Sequence, residues 1–142
     1  MEKWPDGAKY EGHYLDGKKH GEGQLTFADG STYYGQFQNN EISGQGKYVW
    51  PDGKMYDGHW EKNKMHGQGL LIWRDGKRYE GQFLNDKREG KGVFMWKDGR
   101  KYEGDWSEGK QHGMGIFTSK DNQVKRGEWQ YGRKIRWIEN AH

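Results

Sequence analysis

A 23-residue period constrains this chain more than any other feature. Tyr10, Tyr33, Tyr56, Tyr79 and Tyr102 stand at that spacing without slippage. Two residues after each comes a glycine, Gly12, Gly35, Gly58, Gly81 and Gly104, with Gly127 continuing the series. Two residues further comes a ring: Tyr14, Phe37, Trp60, Phe83, Trp106 and Trp129. A glycine dyad follows in each unit, such as Gly44 and Gly46 or Gly67 and Gly69, and Phe27, Trp50, Trp73 and Trp96 close units ahead of an Asp-Gly step. So strict a register belongs to a stack of one supersecondary unit in which each copy contacts only its neighbours.

Inside a unit the period is two. Tyr56, Gly58 and Trp60 fall on one face of an extended segment, and Gly67, Gly69, Leu71 and Trp73 on one face of the next. Helices are excluded, because 24 glycines at about 1 kcal/mol each relative to Ala would be prohibitive. The Asp-Gly steps, once as Trp50-Pro51-Asp52-Gly53, predict tight hairpin turns, with Pro presetting φ and Gly taking positive φ. Each unit therefore reads as a strand, a loop over residues 61–66 or its equivalents, a second strand and a tight turn. Chained hairpins give an all-β, elongated, single-layer twisted antiparallel sheet that advances roughly 10 Å per unit. Glycine on the flanking strand leaves room for each large ring to lie flat. The rings Tyr14, Phe37, Trp60, Phe83, Trp106 and Trp129 are the expected structural spine.

Composition says why rings must carry the core. Only 18 of the 142 residues are Leu, Ile, Val or Phe, yet the net charge is just +3, so disorder is not indicated. Eight Trp and nine Tyr supply the missing area, each ring covering on the order of 150–250 Å². No run approaches the roughly 20 apolar residues of a membrane-spanning helix, and Met1 to Asp6 lack the apolar core of a signal peptide. With no Cys and no Asn-x-Ser/Thr site, the expected setting is cytoplasmic.

The YEGxW-type openings and paired GxG closings resemble the membrane occupation and recognition nexus (MORN) repeat. Tyr79-Glu80-Gly81-Gln82-Phe83 and Glu89-Gly90-Lys91-Gly92-Val93-Phe94-Met95-Trp96-Lys97-Asp98-Gly99 carry the resemblance most fully. It divides the chain into a partial unit at 1–9, full repeats at 10–32, 33–55, 56–78, 79–101 and 102–124, and a degenerate cap at 125–142. Trp4-Pro5-Asp6-Gly7 repeats Trp50-Pro51-Asp52-Gly53, which reads as an open edge or as part of a longer array. At the other end Lys125 replaces the opening Tyr, and residues 132–138 lack the glycine dyad. The resemblance implies a binding scaffold in a cytoskeletal, ciliary or flagellar, or membrane-contact assembly. It also leaves open a regulatory array belonging to a larger enzyme such as a lipid kinase or methyltransferase.

No catalytic constellation is present: GxGxxG, Walker A, GxSxG and HExxH motifs are all missing, so neither catalytic nor cofactor-binding residues are assigned. His20, His66 and His112 share one repeat position in alternate units, about 20 Å apart, which is too far for one zinc ion. Glu11, Asp57, Glu80 and Glu103 form a ladder of solvated charges rather than a catalytic pair. Nucleic acid is not an expected partner, since the aromatics are committed to the spine.

Two surfaces remain as candidates. On the second strands the positions facing away from the glycine dyads lose polarity along the array, and Leu70, Ile72, Val93, Met95, Met114 and Ile116 read as a contiguous exposed apolar strip. Such a strip would bind a protein partner, for instance an amphipathic helix, although a bulge turning the residues inward would give them a packing role instead. Self-association through an open N-terminal edge is the other protein contact expected. The second surface is a basic rim of Lys18, Lys19, Lys64, Lys87, Arg88 and Lys110, which would dock on anionic lipid such as a phosphoinositide.

Overall fold

The computed structural model describes residues 2–138. Thirteen strands follow in chain order: β1 (Glu2–Lys3), β2 (Lys9–Leu15), β3 (Lys18–Thr26), β4 (Thr32–Gln38), β5 (Glu41–Val49), β6 (Met55–Glu61), β7 (Lys64–Ile72), β8 (Arg78–Leu84), β9 (Lys87–Met95), β10 (Lys101–Ser107), β11 (Lys110–Thr118), β12 (Val124–Gln130) and β13 (Arg133–Ile138). Each pairs antiparallel with the next to make one open sheet. Among the described residues no helix or second sheet covers either broad side.

The two turns of each unit exchange the roles expected from sequence. Residues 61–66 are not a loop: Glu61 pairs with Lys64 across a two-residue turn, and the strand resumes at once. Lys62 and Asn63 both take positive φ, 48° and 68°, the type I′ geometry whose twist matches that of paired strands. The Asp-Gly segments form the longer connection. Trp50 N donates to Lys54 O, Gly53 N donates to Trp50 O, and Gly53 sits at φ 96°. Asp52 Oδ1 accepts from Lys54 N, so the side chain holds the turn that Gly53 makes possible.

Every first strand meets its second strand through a bulge. Gly58 pairs with Gly69, but the next pair is Trp60 with Met65, leaving His59 opposite three residues of β7. The Tyr that opens each unit lies over the glycine of the neighbouring strand. Tyr10, Tyr33, Tyr56, Tyr79 and Tyr102 are fully buried. A Cβ on Gly69 would sit 2.1 Å from the Tyr56 hydroxyl, so only glycine admits the ring. The Tyr56 hydroxyl donates to the carbonyl of His59, the residue the ladder skips, at 2.9 Å. The same bond joins Tyr10 to His13, Tyr33 to Gln36, Tyr79 to Gln82 and Tyr102 to Asp105. A buried hydroxyl without that acceptor would cost about 1–3 kcal/mol, so bulge and tyrosine are one device.

Second rings then pack edge-on. Tyr56 meets Trp60 at 5.0 Å and Phe83 at 5.1 Å between centroids, near perpendicular in both cases, and the pattern recurs in the other units. Edge-to-face pairs of this kind add about 0.5–1.5 kcal/mol each beyond the area they bury. The resulting spine crosses unit boundaries, which makes a stack of hairpins a single body.

Candidate functional site

Strand alternation gives the sheet two unlike sides. One, the ring face, carries Phe37, Trp60, Phe83, Trp106 and Trp129, all buried, together with the five fully buried tyrosines. Tyr14, assigned to the same spine, is 46% exposed. Among the described residues β1 places only two beside β2, so Tyr14 meets the Tyr10 ring at 5.1 Å but no tyrosine of a preceding unit, and its hydroxyl donates to Glu2. That carboxylate, with burial, pushes the Tyr14 hydroxyl pKa up to about 12.

Toward the Asp-Gly turns the ring face becomes a ledge of half-buried aromatics: Phe27, Trp50, Trp73 and Trp96 pack against the core but keep part of their area in solvent. Cations lie on these rings. Lys54 Nζ stands 4.6 Å from the Trp50 ring centre, Lys77 5.5 Å from Trp73, and the Arg100 guanidinium 5.3 Å from Trp96. At the C-terminal end Trp96, Phe117, Trp129 and Trp137, with Gln111 and Lys134, line an apolar cleft of about 230 Å³. Trp137 is 37% exposed there, and Lys134 Nζ lies 4.4 Å from its ring centre.

Arg88 is the unusual residue of this face. Its guanidinium carbon is 4.7 Å from the Trp106 ring centre and within 6 Å of those of Trp73, Tyr79 and Phe94. It donates to Gly109 O at 2.7 Å. In earlier units an Asn or Asp at this turn position bonds back to the preceding unit, as Asn63 Oδ1 does to Ile42 N and Asp86 Oδ1 to Met65 N. Gly109 has no side chain, and Arg88 supplies the link instead. Burial lowers the Arg88 pKa from its ordinary value, with the Tyr79 hydroxyl partly opposing. No carboxylate lies within 4 Å of it among the described residues.

The opposite, outer face holds the residues expected to form an apolar strip, and the register interrupts that strip. Leu70 and Val93 are both paired to Glu80, Val93 and Ile116 both to Glu103, and Ile72 and Met95 both to Arg78. A charged column therefore separates each apolar pair from the next, so the expected contiguity is corrected. Polarity falls along the second strands, but a first strand lies between each two of them. Met114 and Ile116 are 42% and 38% exposed, while Leu70, Ile72, Val93 and Met95 are half-buried.

The six basic residues do not form one rim. Lys18, Lys64, Lys87 and Lys110 are exposed on the outer face beside the type I′ turns, while Lys19 and Arg88 point to the ring face. Lys19 lies over Trp4 and Tyr10, 5.3 and 5.4 Å from their ring centres. Glu11, Asp57, Glu80 and Glu103 are exposed on the outer face, and no group of three or more potential metal ligands occurs among the described residues. The cation-on-ring pairs went unread in the sequence; their only trace there is a cation four residues after Trp50, Trp73 and Trp96.

Five consecutive stretches, residues 10–32, 33–55, 56–78, 79–99 and 102–124, match the MORN repeat. No curated protein matches the chain.

Proposed function

Because the chain belongs to the MORN repeat family, we propose that it is a non-catalytic scaffold whose sheet holds a segment of another protein. One observation carries the reading: a row of half-buried aromatics, Phe27, Trp50, Trp73 and Trp96, runs across successive units with no second layer over it among the described residues. Aromatic area of this kind, rigid and ordered before any partner arrives, loses little conformational entropy on binding. The repeat itself, in general a non-catalytic module, fits that role. A cytoskeletal, ciliary or membrane-contact assembly is the setting we assign, to be tested by proximity labelling in cells.

A lipid-docking role has less support. The basic residues divide between two faces, so one plane cannot engage all six. The test of the scaffold is comparative affinity capture with wild type, Trp73→Gln with Trp96→Gln, and Ile72→Glu with Val93→Glu. A protein held by wild type and by the outer-face variant but lost from the ring-face variant supports the proposal. Loss only from the outer-face variant moves the partner to the other side, and no specific capture refutes the scaffold.

A further inference from the structure

Strand alternation sorts charge as well as rings. From β2 to β13 every Asp and Glu within a strand projects from the outer face, whereas the ring-face positions hold Lys19, Arg88, Lys125 and Lys134 and no carboxylate. Among the described strands the one ring-face carboxylate is Glu2 of β1, which Tyr14 engages at the N-terminal end. Lys54, Lys77 and Arg100 lean over the same ledge from the turns. Of these, Lys77 and Arg100 have carboxylate partners, Asp75 and Asp98, while Arg88 and Lys134 have none among the described residues. The strand positions of the groove thus pair an aromatic floor with cations alone, and its carboxylates, Asp75 and Asp98, stand at the turns already bound to Lys77 and Arg100.

Resting on the scaffold reading above, we infer that the occupant of the ring face is an acidic segment of a partner protein carrying a large apolar side chain. The apolar side chain fills the cleft between Trp96, Phe117, Trp129 and Trp137, and its carboxylates pair with Lys134 and Arg88. Cations lying on rings still have donors to spare, and a carboxylate arriving in a groove partly shielded from water finds them with charge-assisted strength. Arg88 and Lys134 occupy one repeat position two units apart, so four strand spacings, about 19 Å, separate them. An extended segment spans that distance in about six residues, and a helix in about 13. The half-buried Arg88 and a cleft sized for one side chain favour a polypeptide over a planar lipid surface.

The array supplies its own test variants. Met65 and Gln111 stand at the repeat position of Arg88 and Lys134, so Arg88→Met with Lys134→Gln removes the two cations assigned to the partner's carboxylates using residues the fold already accepts there. A displayed library of random 16-residue peptides would be selected on the full chain. One selected peptide and its analogue with Glu and Asp changed to Gln and Asn would then be titrated against wild type, the double variant, and Ile72→Glu with Val93→Glu. The expected result is enrichment of acidic peptides containing Trp, Phe or Leu, with affinity falling at least tenfold for the double variant or the amide analogue and unchanged for the outer-face variant. Neutral or basic peptides, or acidic ones whose binding only the outer-face variant abolishes, would overturn this inference and leave the scaffold standing. Absence of any selected peptide, with pelleting on phosphatidylserine vesicles instead, would overturn both. The amide analogue keeps the test decisive even if the double variant melts early.

Discussion

Gly69→Ala isolates the contact on which the array depends. The added methyl would meet the Tyr56 hydroxyl at 2.1 Å, Cζ at 2.3 Å and Cε1 at 2.4 Å, where ordinary contact begins at 3.4 Å. The ring must retreat by roughly 1.3 Å, the difference between those distances. It has nowhere to go, because Trp60 and Phe83 close both sides, and its hydroxyl is tied to His59 O. Overpacking of that kind costs about 1–3 kcal/mol. Loss of a buried hydrogen bond adds about 1 kcal/mol, for a total of about 2–4 kcal/mol. Backbone strain does not contribute, since Gly69 is not among the positive-φ glycines. Urea denaturation followed by Trp fluorescence reads the loss. In a Tyr56→Leu background those three ring atoms are gone, and the same substitution should cost about 1 kcal/mol less than in wild type. A Gly69→Ala protein within 0.5 kcal/mol of wild type, or a cycle showing no coupling, would refute the reasoning.

Other substitutions separate the causes. Gly99→Ala meets no atom within 4 Å but sits at φ 98°, so it should cost about 1–2 kcal/mol from backbone strain alone, independent of Tyr102. Trp60→Ala should cost about 3–5 kcal/mol in the same denaturation assay, whereas Tyr14→Ala, at an exposed site, should cost under 1 kcal/mol. Burial pushes the Tyr102 hydroxyl up to about 12, so the folded state holds that proton where the unfolded chain, near pH 10, has lost it. Its contribution is fully present below pH 10 and is lost as pH rises through 12; alkaline unfolding monitored at 295 nm should be less steep in Tyr102→Phe, and an identical profile would contradict the burial argument. EDTA should leave the melting temperature unchanged, and a fall of several degrees would reveal a bridging metal.

Repetition made the fold legible. A tyrosine, a glycine two residues on and a glycine dyad, repeated every 23 residues, require a stack of hairpins whatever else the chain contains. The turn types were harder to read because Lys62, Glu108 and Tyr131 adopt positive φ without being glycine or asparagine, so the two-residue turns carry a weak local signal. Which ring covers glycine was also hidden. Tyr56 and Trp60 share a face, and only the bulge at Gly67, which leaves the His59 carbonyl to the Tyr56 hydroxyl, decides that the tyrosine lies flat while the tryptophan packs edge-on. At the candidate site, alternation assigned each side chain to a face, but the interleaving of Glu80 between Leu70 and Val93 depends on cross-strand register, a property of pairs rather than of single strands. Arg88 looks like a rim cation in the sequence because its replacement of Met65 at the same repeat position does not announce that the Gly109 carbonyl draws it inward.

The central claim is that a tyrosine lying flat over glycine cements each unit and leaves an aromatic face available to a partner. Solution NMR tests it directly through the α-protons of Gly23, Gly46, Gly69, Gly92 and Gly115. The account predicts strong upfield ring-current shifts at these protons and nuclear Overhauser contacts to the rings of Tyr10, Tyr33, Tyr56, Tyr79 and Tyr102 respectively. Glycine shifts near random-coil values with no tyrosine contacts would contradict it.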